Sequence, residues 1–161
     1  MSARAASRLE SLGFTRVYRY TPGKDGWLAM GLPTEGPDAA TPRASDVADR
    51  DAPTCAPHDR LGDVRDRLQA AGEKSCIVVS DQRVVLGRVC GEAFDGDGEQ
   101  TVDTVMEAGP TTVRPSEPLD ALIIRMQQRR AGSIIVSTAD GVLVGVLRRE
   151  DGERQLSDRN G

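Results

Sequence analysis

The sequence predicts an α/β fold in which two similar β-α-β-β-α units pack about a pseudo-twofold axis, preceded by a short helix-strand-helix segment. An offset of 58 positions aligns the second half of the chain with the first without a gap, so that Pro57 falls on Pro115 and Gly87 on Gly145. Each half contains a short β-like segment, an amphipathic helix and two apolar strands in the same order. Because one such unit buries only a modest core, we expect the two units to cover each other's apolar faces.

The first unit opens with the β-like segment PTCAP at residues 53–57. The helix predicted next has an apolar stripe at helical spacing and ends at Gly72. The segments SCIVVS and RVVLGRV then predict two strands, and we expect Cys76 to be buried as a small apolar residue. The stripe consists of Leu61, Val64, Leu68 and Ala71.

The second unit repeats this order from the segment TTVRP at residues 111–115. Ser116 is predicted to cap its helix and Gly132 to close it. The strands SIIVS and VLVGVL follow, joined by a hairpin turn at Ala139-Asp140-Gly141. The apolar stripe of this helix consists of Leu119, Leu122, Ile123 and Met126.

Composition excludes several classes of function. Aromatic residues are only 3% of the chain and its formal charge is −4, which argues against base stacking and nonspecific electrostatic binding of nucleic acid. The three cysteines include no CxxC pair and the chain has one histidine, so we expect neither a metal site nor a catalytic residue. Because no apolar run is long enough to span a bilayer and no signal peptide is evident, we expect a cytoplasmic protein.

The second unit resembles a CBS domain, the regulatory repeat of the cystathionine β-synthase type. The resemblance rests on an ordered series: the lead-in VDTVM, the strand and proline TTVRP, the helix LDALIIRM, then IIVSTADGVLVGVL and a terminal acid. The first unit, from DVADRD to GEA, resembles the same domain less closely. The chain is thus similar to a tandem CBS pair, with repeat 1 at residues 44–97, repeat 2 at residues 98–154 and a disordered tail at residues 155–161.

The resemblance implies a ligand site at the end of repeat 2. In CBS domains the last strand carries a glycine, then a hydroxyl that contacts phosphate, then an aspartate that binds the ribose of an adenosine nucleotide. These positions are Gly145, Arg148 and Asp151, and an arginine at the hydroxyl position suits a polyphosphate or another anion. The alternative is that the arginines are a solvated strand end and Asp151 a first-turn acid. The other expected ligand contacts are Arg149, Ser133, Ile134 and Thr112.

Repeat 1 has Cys90 at the hydroxyl position and Ala93 at the ribose position. Alanine cannot accept a hydrogen bond from ribose, so we expect at most one nucleotide per chain. The implied ligands are AMP, ADP, ATP or S-adenosylmethionine, and no cofactor is required. The resemblance also implies a homodimer formed through the helices, for which the stripe of Leu119, Ile123 and Met126 offers a surface unless it is used within the chain.

The segment SARAASRLESLGF predicts a helix with Ala6, Leu9 and Leu12 facing inward, TRVYRY predicts a strand, and GKDGWLAMGLP predicts a brief helix. In this order residues 1–37 resemble the C-terminal tail of a rhodanese domain. In rhodaneses the cysteine-bearing catalytic loop precedes this tail, and no cysteine of this chain occupies that place. Residues 38–45 are predicted to form a linker.

Two functions from different classes follow from these resemblances. The favoured hypothesis is a non-catalytic regulatory module that binds an adenosine-type nucleotide or related anion between the CBS repeats. The alternative is a sulfurtransferase-related protein whose catalytic loop is missing or is supplied upstream or by a partner. Nucleic-acid binding is a distant third hypothesis because no reader motif is present.

Overall fold

The computed structural model of the chain describes residues 8–17, 23–36 and 39–159. Two sheets, one per repeat, form the framework, and each sheet packs against its own helix. Between residue 22 and the first sheet lie two short helices, α1 at Gly23–Ala29 and α2 at Ala44–Val47.

The first sheet has four strands in the order β1-β2-β3-β4. Strand β1 is parallel to β2, whereas the other neighbours are antiparallel. Two turns of 3-10 helix, at Gly91–Asp95 and Val102–Thr104, connect β3 to β4. The other elements are β1 Thr54–Cys55, α3 Leu61–Ala71, β2 Ser75–Val79, β3 Val85–Cys90 and β4 Glu107–Ala108.

The second sheet has three strands in the order β5-β6-β7, with β5 parallel to β6 and β6 antiparallel to β7. A final helix follows β7 directly. These elements are β5 Thr112–Val113, α4 Leu119–Gln128, β6 Ser133–Ser137, β7 Leu143–Arg148 and α5 Arg149–Asp158. The α/β architecture predicted from the sequence is confirmed, except that repeat 1 ends in a 3-10 turn where repeat 2 has α5.

The strand registers reproduce the 58-position offset of the sequence. In the first sheet Thr54 pairs with Ile77, and in the second Thr112 pairs with Ile135. The two hairpin tips meet through an isolated bridge between Val84 and Val142, which are themselves related by the offset. A small apolar cluster of Ile77, Ile135 and Leu143 joins the two sheets. The repetition is therefore a pseudo-twofold relation in space.

The segment that precedes each sheet packs against the other sheet. The amide of Ala44 donates to the carbonyl of Glu117 over 2.9 Å, and the amide of Val102 donates to the carbonyl of Asp59 over 3.0 Å. Ala44 belongs to the core around α4, and Val102 belongs to the core around α3. Ala44 precedes the strands of the first repeat and completes the core of the second. Val102 precedes the strands of the second repeat and completes the core of the first.

The apolar stripes and turn signals account for most helix boundaries. Gly72 ends α3 with φ +70°, as predicted, and Gly141 adopts φ +79° in the second hairpin. The predicted ends of α4 are wrong, because Pro118 precedes its first turn without any side-chain cap and Arg129 follows its last residue. Arg130, rather than a glycine, takes the left-handed conformation there, with φ 54°.

The four apolar residues predicted for the helix α4 are all buried within the chain. The stripe of Leu119, Ile123 and Met126 is therefore used internally and does not form an exposed dimer surface. The one large apolar side chain of α4 that is exposed is Ile124, at 54%.

The regions flanking the repeats differ from expectation. Residues 8–11 are helical, but Leu12 is 59% exposed instead of facing inward, because nothing in the described chain covers it. Residues 15–17 form no strand; Ala6 and the rest of the predicted strand lie outside the described residues. Residues 43–45, predicted to end a linker, are buried against the second sheet. Residues 155–158, predicted to be disordered, are helical because α5 continues to Asp158.

Candidate functional site

A cleft of about 390 Å³ lies where β7 of the second sheet ends beside the starts of β1 and β2 of the first. We call it the first cleft. Both repeats supply its walls, because the pseudo-twofold relation places the end of one repeat's last strand next to the other repeat's first strands. The residues that matter for its chemistry are Pro53, the segment 72–75, Ser133, Val146, Arg148 and Glu150.

Arg148 spans this cleft. Its Nη2 atom donates to Oε1 of Glu73 at 2.8 Å and lies 3.1 Å from Oε2 of the same carboxylate. The hydrogen bond to Glu73 raises the pKa of Arg148. Both side chains are partly exposed, at 39% and 30%, and a ligand can therefore reach the pair. Lys74 adds a second positive charge to the lining of the cleft.

Asp151 occupies the first turn of α5 and pairs with Arg154, with 3.3 Å between Oδ1 and Nη1. Its neighbour Glu150, and not Asp151, is among the residues that line the first cleft. Arg149 likewise faces along the helix, where its Nε lies 3.5 Å from Oε1 of Glu153. The structure thus brings Arg148 and Ser133 to the cleft and holds Asp151 and Arg149 in local ion pairs.

Gly145 contacts the chain itself. A Cβ atom at this position would lie 2.5 Å from the carbonyl oxygen of Asp49. Asp49 and Val146 exchange two backbone hydrogen bonds of 2.9 Å, which attach the segment before β1 to β7. The absence of a side chain at Gly145 therefore serves this close backbone approach. The CBS resemblance places Gly145 at the ligand site, and the structure shows a packing contact with Asp49 at this position.

A second, smaller cleft of about 220 Å³ is related to the first by the pseudo-twofold. Its lining includes Arg88, Arg129 and the carboxylate of Glu107. Ser133 lines both clefts and Ile134 lines only the second, whereas Thr112 is in the lining of neither. Of the predicted contacts Thr112, Ser133 and Ile134, Ser133 alone therefore shares the first cleft with Arg148.

Arg88 connects the two clefts and was not predicted from the sequence. Its Nη2 atom lies 3.0 Å from Oγ of Ser133 and 3.3 Å from Oγ of Ser75. Its Nε atom is buried without a hydrogen-bond partner. The only sequence signal is an arginine within the apolar strand RVVLGRV, at a position where the second repeat has Val146.

Residues 102–152 match the family model described as "CBS domain". This part of the chain is similar to a CBS domain. The matched residues include the lead-in that packs on the first sheet, all of the second sheet and the start of α5. No protein in the curated set matches the chain. No helix in the described parts of the chain is long and apolar enough to cross a membrane, and those residues contain no cluster able to hold a metal ion.

Solved structures of CBS pairs share the fold of residues on both sides of the pseudo-twofold. The protein AcuB of Vibrio cholerae is 22% identical, with a TM-score of 0.66 over 74% of this chain and 93% of that one. The CBS pair of protein MJ0100, in complex with 5-methylthioadenosine and S-adenosyl-L-methionine, is 16% identical, with a TM-score of 0.62 over 74% of this chain and 98% of that one. CBSX2 in complex with AMP is 19% identical, with a TM-score of 0.66 over 74% and 98%. These matches give no support to the rhodanese resemblance of residues 1–37.

Proposed function

We propose that this chain is a regulatory CBS-pair module that binds an adenosine-type nucleotide or a related anion in the first cleft. The observation that carries the proposal is the position of Arg148, at the end of β7 and across the cleft from Glu73 and Ser75. Two proteins of the same fold are described as complexes with AMP and with S-adenosyl-L-methionine, which supports an adenosyl ligand.

In this proposal the two basic side chains of the first cleft, Arg148 and Lys74, bind the anionic part of the ligand. The hydroxyls of Ser75 and Ser133 offer further hydrogen bonds to it. Asp151 accepts hydrogen bonds from ribose after it leaves Arg154. This exchange has a small cost because Arg154 is exposed and Asp151 is partly exposed.

Regulation follows from the construction of the cleft. Its two walls belong to different repeats, and Arg148 already joins them through Glu73. A ligand that takes Arg148 from Glu73 replaces a contact between the repeats with contacts to itself. Its binding energy therefore changes how the two repeats are held together, and a partner or a second copy of the chain can sense that change.

A homodimer is part of the proposal, since a regulatory module needs a surface that reports occupancy. Ile124 on α4 is an exposed apolar side chain available for such a contact. Light scattering is expected to show a dimer at micromolar concentration, and a monomer with and without nucleotide would remove this part of the proposal.

Calorimetric titration of the full chain with AMP, ADP, ATP and S-adenosylmethionine tests the binding function. We expect one site per chain with a dissociation constant well below about 1 mM, which corresponds to roughly −4 kcal/mol. Arg148→Gln is expected to weaken ATP more than S-adenosylmethionine, because only ATP presents phosphates. The proposal fails if none of the four ligands binds the parent chain at submillimolar concentration.

A further inference from the structure

Two thiols meet in the core of the first repeat. The Sγ atoms of Cys55 and Cys76 lie 2.8 Å apart. Both side chains are buried, at 4% and 1% exposure, and both belong to the core cluster around α3. The third cysteine, Cys90, is exposed at the end of β3.

The register of the sheet brings these thiols together. Cys55 of β1 pairs with Val78 of the parallel strand β2, and Cys76 precedes Val78 by two positions. Because side chains alternate along a strand, Cys76 and Val78 point to the same face of the sheet. Cys55 lies on the neighbouring strand and faces the same core, so its thiol reaches Cys76 along the diagonal.

We propose that Cys55 and Cys76 form a reversible dithiol–disulfide site that peroxides oxidise and low-molecular-weight thiols reduce. In the oxidation the two S–H bonds and the O–O bond of hydrogen peroxide break, one S–S bond forms, and two molecules of water leave. The two sulfurs supply the two electrons that the peroxide accepts. Reduction by a dithiol returns both thiols and leaves the reductant as a disulfide.

The two thiols have different roles in this reaction. The hydrogen bond between the two thiols lowers the pKa of Cys55; burial and Asp59 act against this lowering, and Arg67 adds to it. The same hydrogen bond, together with burial, raises the pKa of Cys76. Cys55 is therefore the sulfur that attacks the peroxide, since the thiolate is the nucleophile. Cys76 then displaces hydroxide from the Cys55 sulfenic acid, and the proton of Cys76 completes the second water.

An oxidant reaches Cys55 through the edge of the first sheet. Strand β1 has two residues and no neighbour on its outer side within that sheet. Arg67 of α3 contacts this strand by donating a hydrogen bond to the carbonyl of Thr54 over 3.2 Å. So short an edge strand opens locally at a much lower free energy than the fold unfolds, and a small peroxide needs only that opening.

The disulfide also joins two sides of the first cleft. Pro53 precedes β1 and Ser75 begins β2, and both residues line that cleft. Oxidation therefore fixes the distance between these two parts of the wall. Oxidation thus affects the geometry of the cleft wall. The dithiol chemistry itself does not depend on whether a nucleotide binds there.

Peptide mapping of the full chain tests the site directly, because trypsin places the three cysteines in different fragments. Cys55 falls in residues 51–60, Cys76 in residues 75–83, and Cys90 in a fragment that begins at Val89. After limited treatment with hydrogen peroxide and alkylation under denaturing conditions, we expect a cross-linked species of residues 51–60 with 75–83. Dithiothreitol is expected to remove that species.

Two variants provide the comparison. Cys55→Ser is expected to abolish the cross-linked species, and Cys90→Ser is expected to leave it unchanged. The proposal is overturned if peroxide modifies Cys90 in the folded parent chain while residues 51–60 and 75–83 remain separate, or if cross-links join Cys90 instead. Because this readout uses the parent chain, it stands even if a cysteine variant fails to fold.

Discussion

Arg148 of the second repeat and Glu73 of the first form an ion pair across the first cleft, with 2.8 Å between Nη2 and Oε1. The carboxylate of Glu73 thus contacts the same guanidinium that we propose binds the anionic part of the ligand. Glu73 therefore has two roles: it joins the repeats through Arg148, and it competes with any anion for that side chain.

Glu73→Gln is expected to tighten the binding of ATP by roughly threefold to tenfold, since it removes a competing charge worth about 1 kcal/mol. Stability is expected to fall by less than about 1 kcal/mol, because the pair is partly exposed. Calorimetry and urea unfolding measure the two quantities. The matched control is Glu117→Gln, which removes a similarly exposed pair with Arg125 away from both clefts. Equal ATP affinity in the two variants would contradict the assignment of Arg148.

Asp151→Ala is expected to weaken nucleotide binding by about 1–3 kcal/mol, because the ribose hydroxyls lose a charged acceptor. Ala93→Ser, at the equivalent position of the first repeat, is expected to change affinity little. The asymmetry between the two variants is measured by calorimetry with the same ligand. If Asp151→Ala binds as tightly as the parent chain, Asp151 is only the first-turn acid that pairs with Arg154.

Gly145→Ala is expected to destabilise the fold by about 1–3 kcal/mol, since the added methyl group would meet the backbone of Asp49. Gly132→Ala is the control, because a Cβ at that position has no heavy atom within 4 Å. It is expected to shift stability by no more than about 0.5 kcal/mol. Urea unfolding compares the two. Equal stabilities of the two variants would show that the segment before β1 can move away from β7 without loss of stability.

Removal of residues 1–37 is expected to leave a cooperative unfolding transition, because the two sheets and their helices lie beyond them. The loss of buried Leu28 is expected to lower stability by about 2 kcal/mol. A shortened chain that melts without cooperativity would place residues 1–37 within the core of the fold.

Trp27 is the only tryptophan of the chain, so the fluorescence of the full chain reports on α1 alone. Arg50→Gln, which removes the hydrogen bond to the carbonyl of Ala29, is expected to shift that emission to the red.

Local patterns predicted the elements of each repeat. The stripe of α3, the glycine that ends it and the hairpin turn at Gly141 all act over a few residues, where spacing and backbone conformation decide the structure. The apolar run SCIVVS likewise placed Cys76 in a buried strand. The constant 58-position offset between corresponding residues of the two halves was enough to predict a pseudo-twofold relation.

The parts that were not predicted depend on contacts between distant segments. Nothing local to Arg148 indicates Glu73, which is 75 positions away. The exchange of the segments around Ala44 and Val102 likewise becomes visible only when both cores are formed. The predicted ligand contacts were all taken from repeat 2, but a cleft bounded by both repeats draws Lys74 and Ser75 from repeat 1.

Hydrogen–deuterium exchange of the full chain with and without saturating ATP tests most directly whether the first cleft is the ligand site. If the ligand lies in the first cleft, backbone amides at residues 72–77 and 146–150 will exchange more slowly in its presence. Residues 107–111, at the second cleft, will be unchanged and serve as the internal control. Protection confined to residues 107–111, or no protection in either cleft, would contradict the assignment of the first cleft as the ligand site.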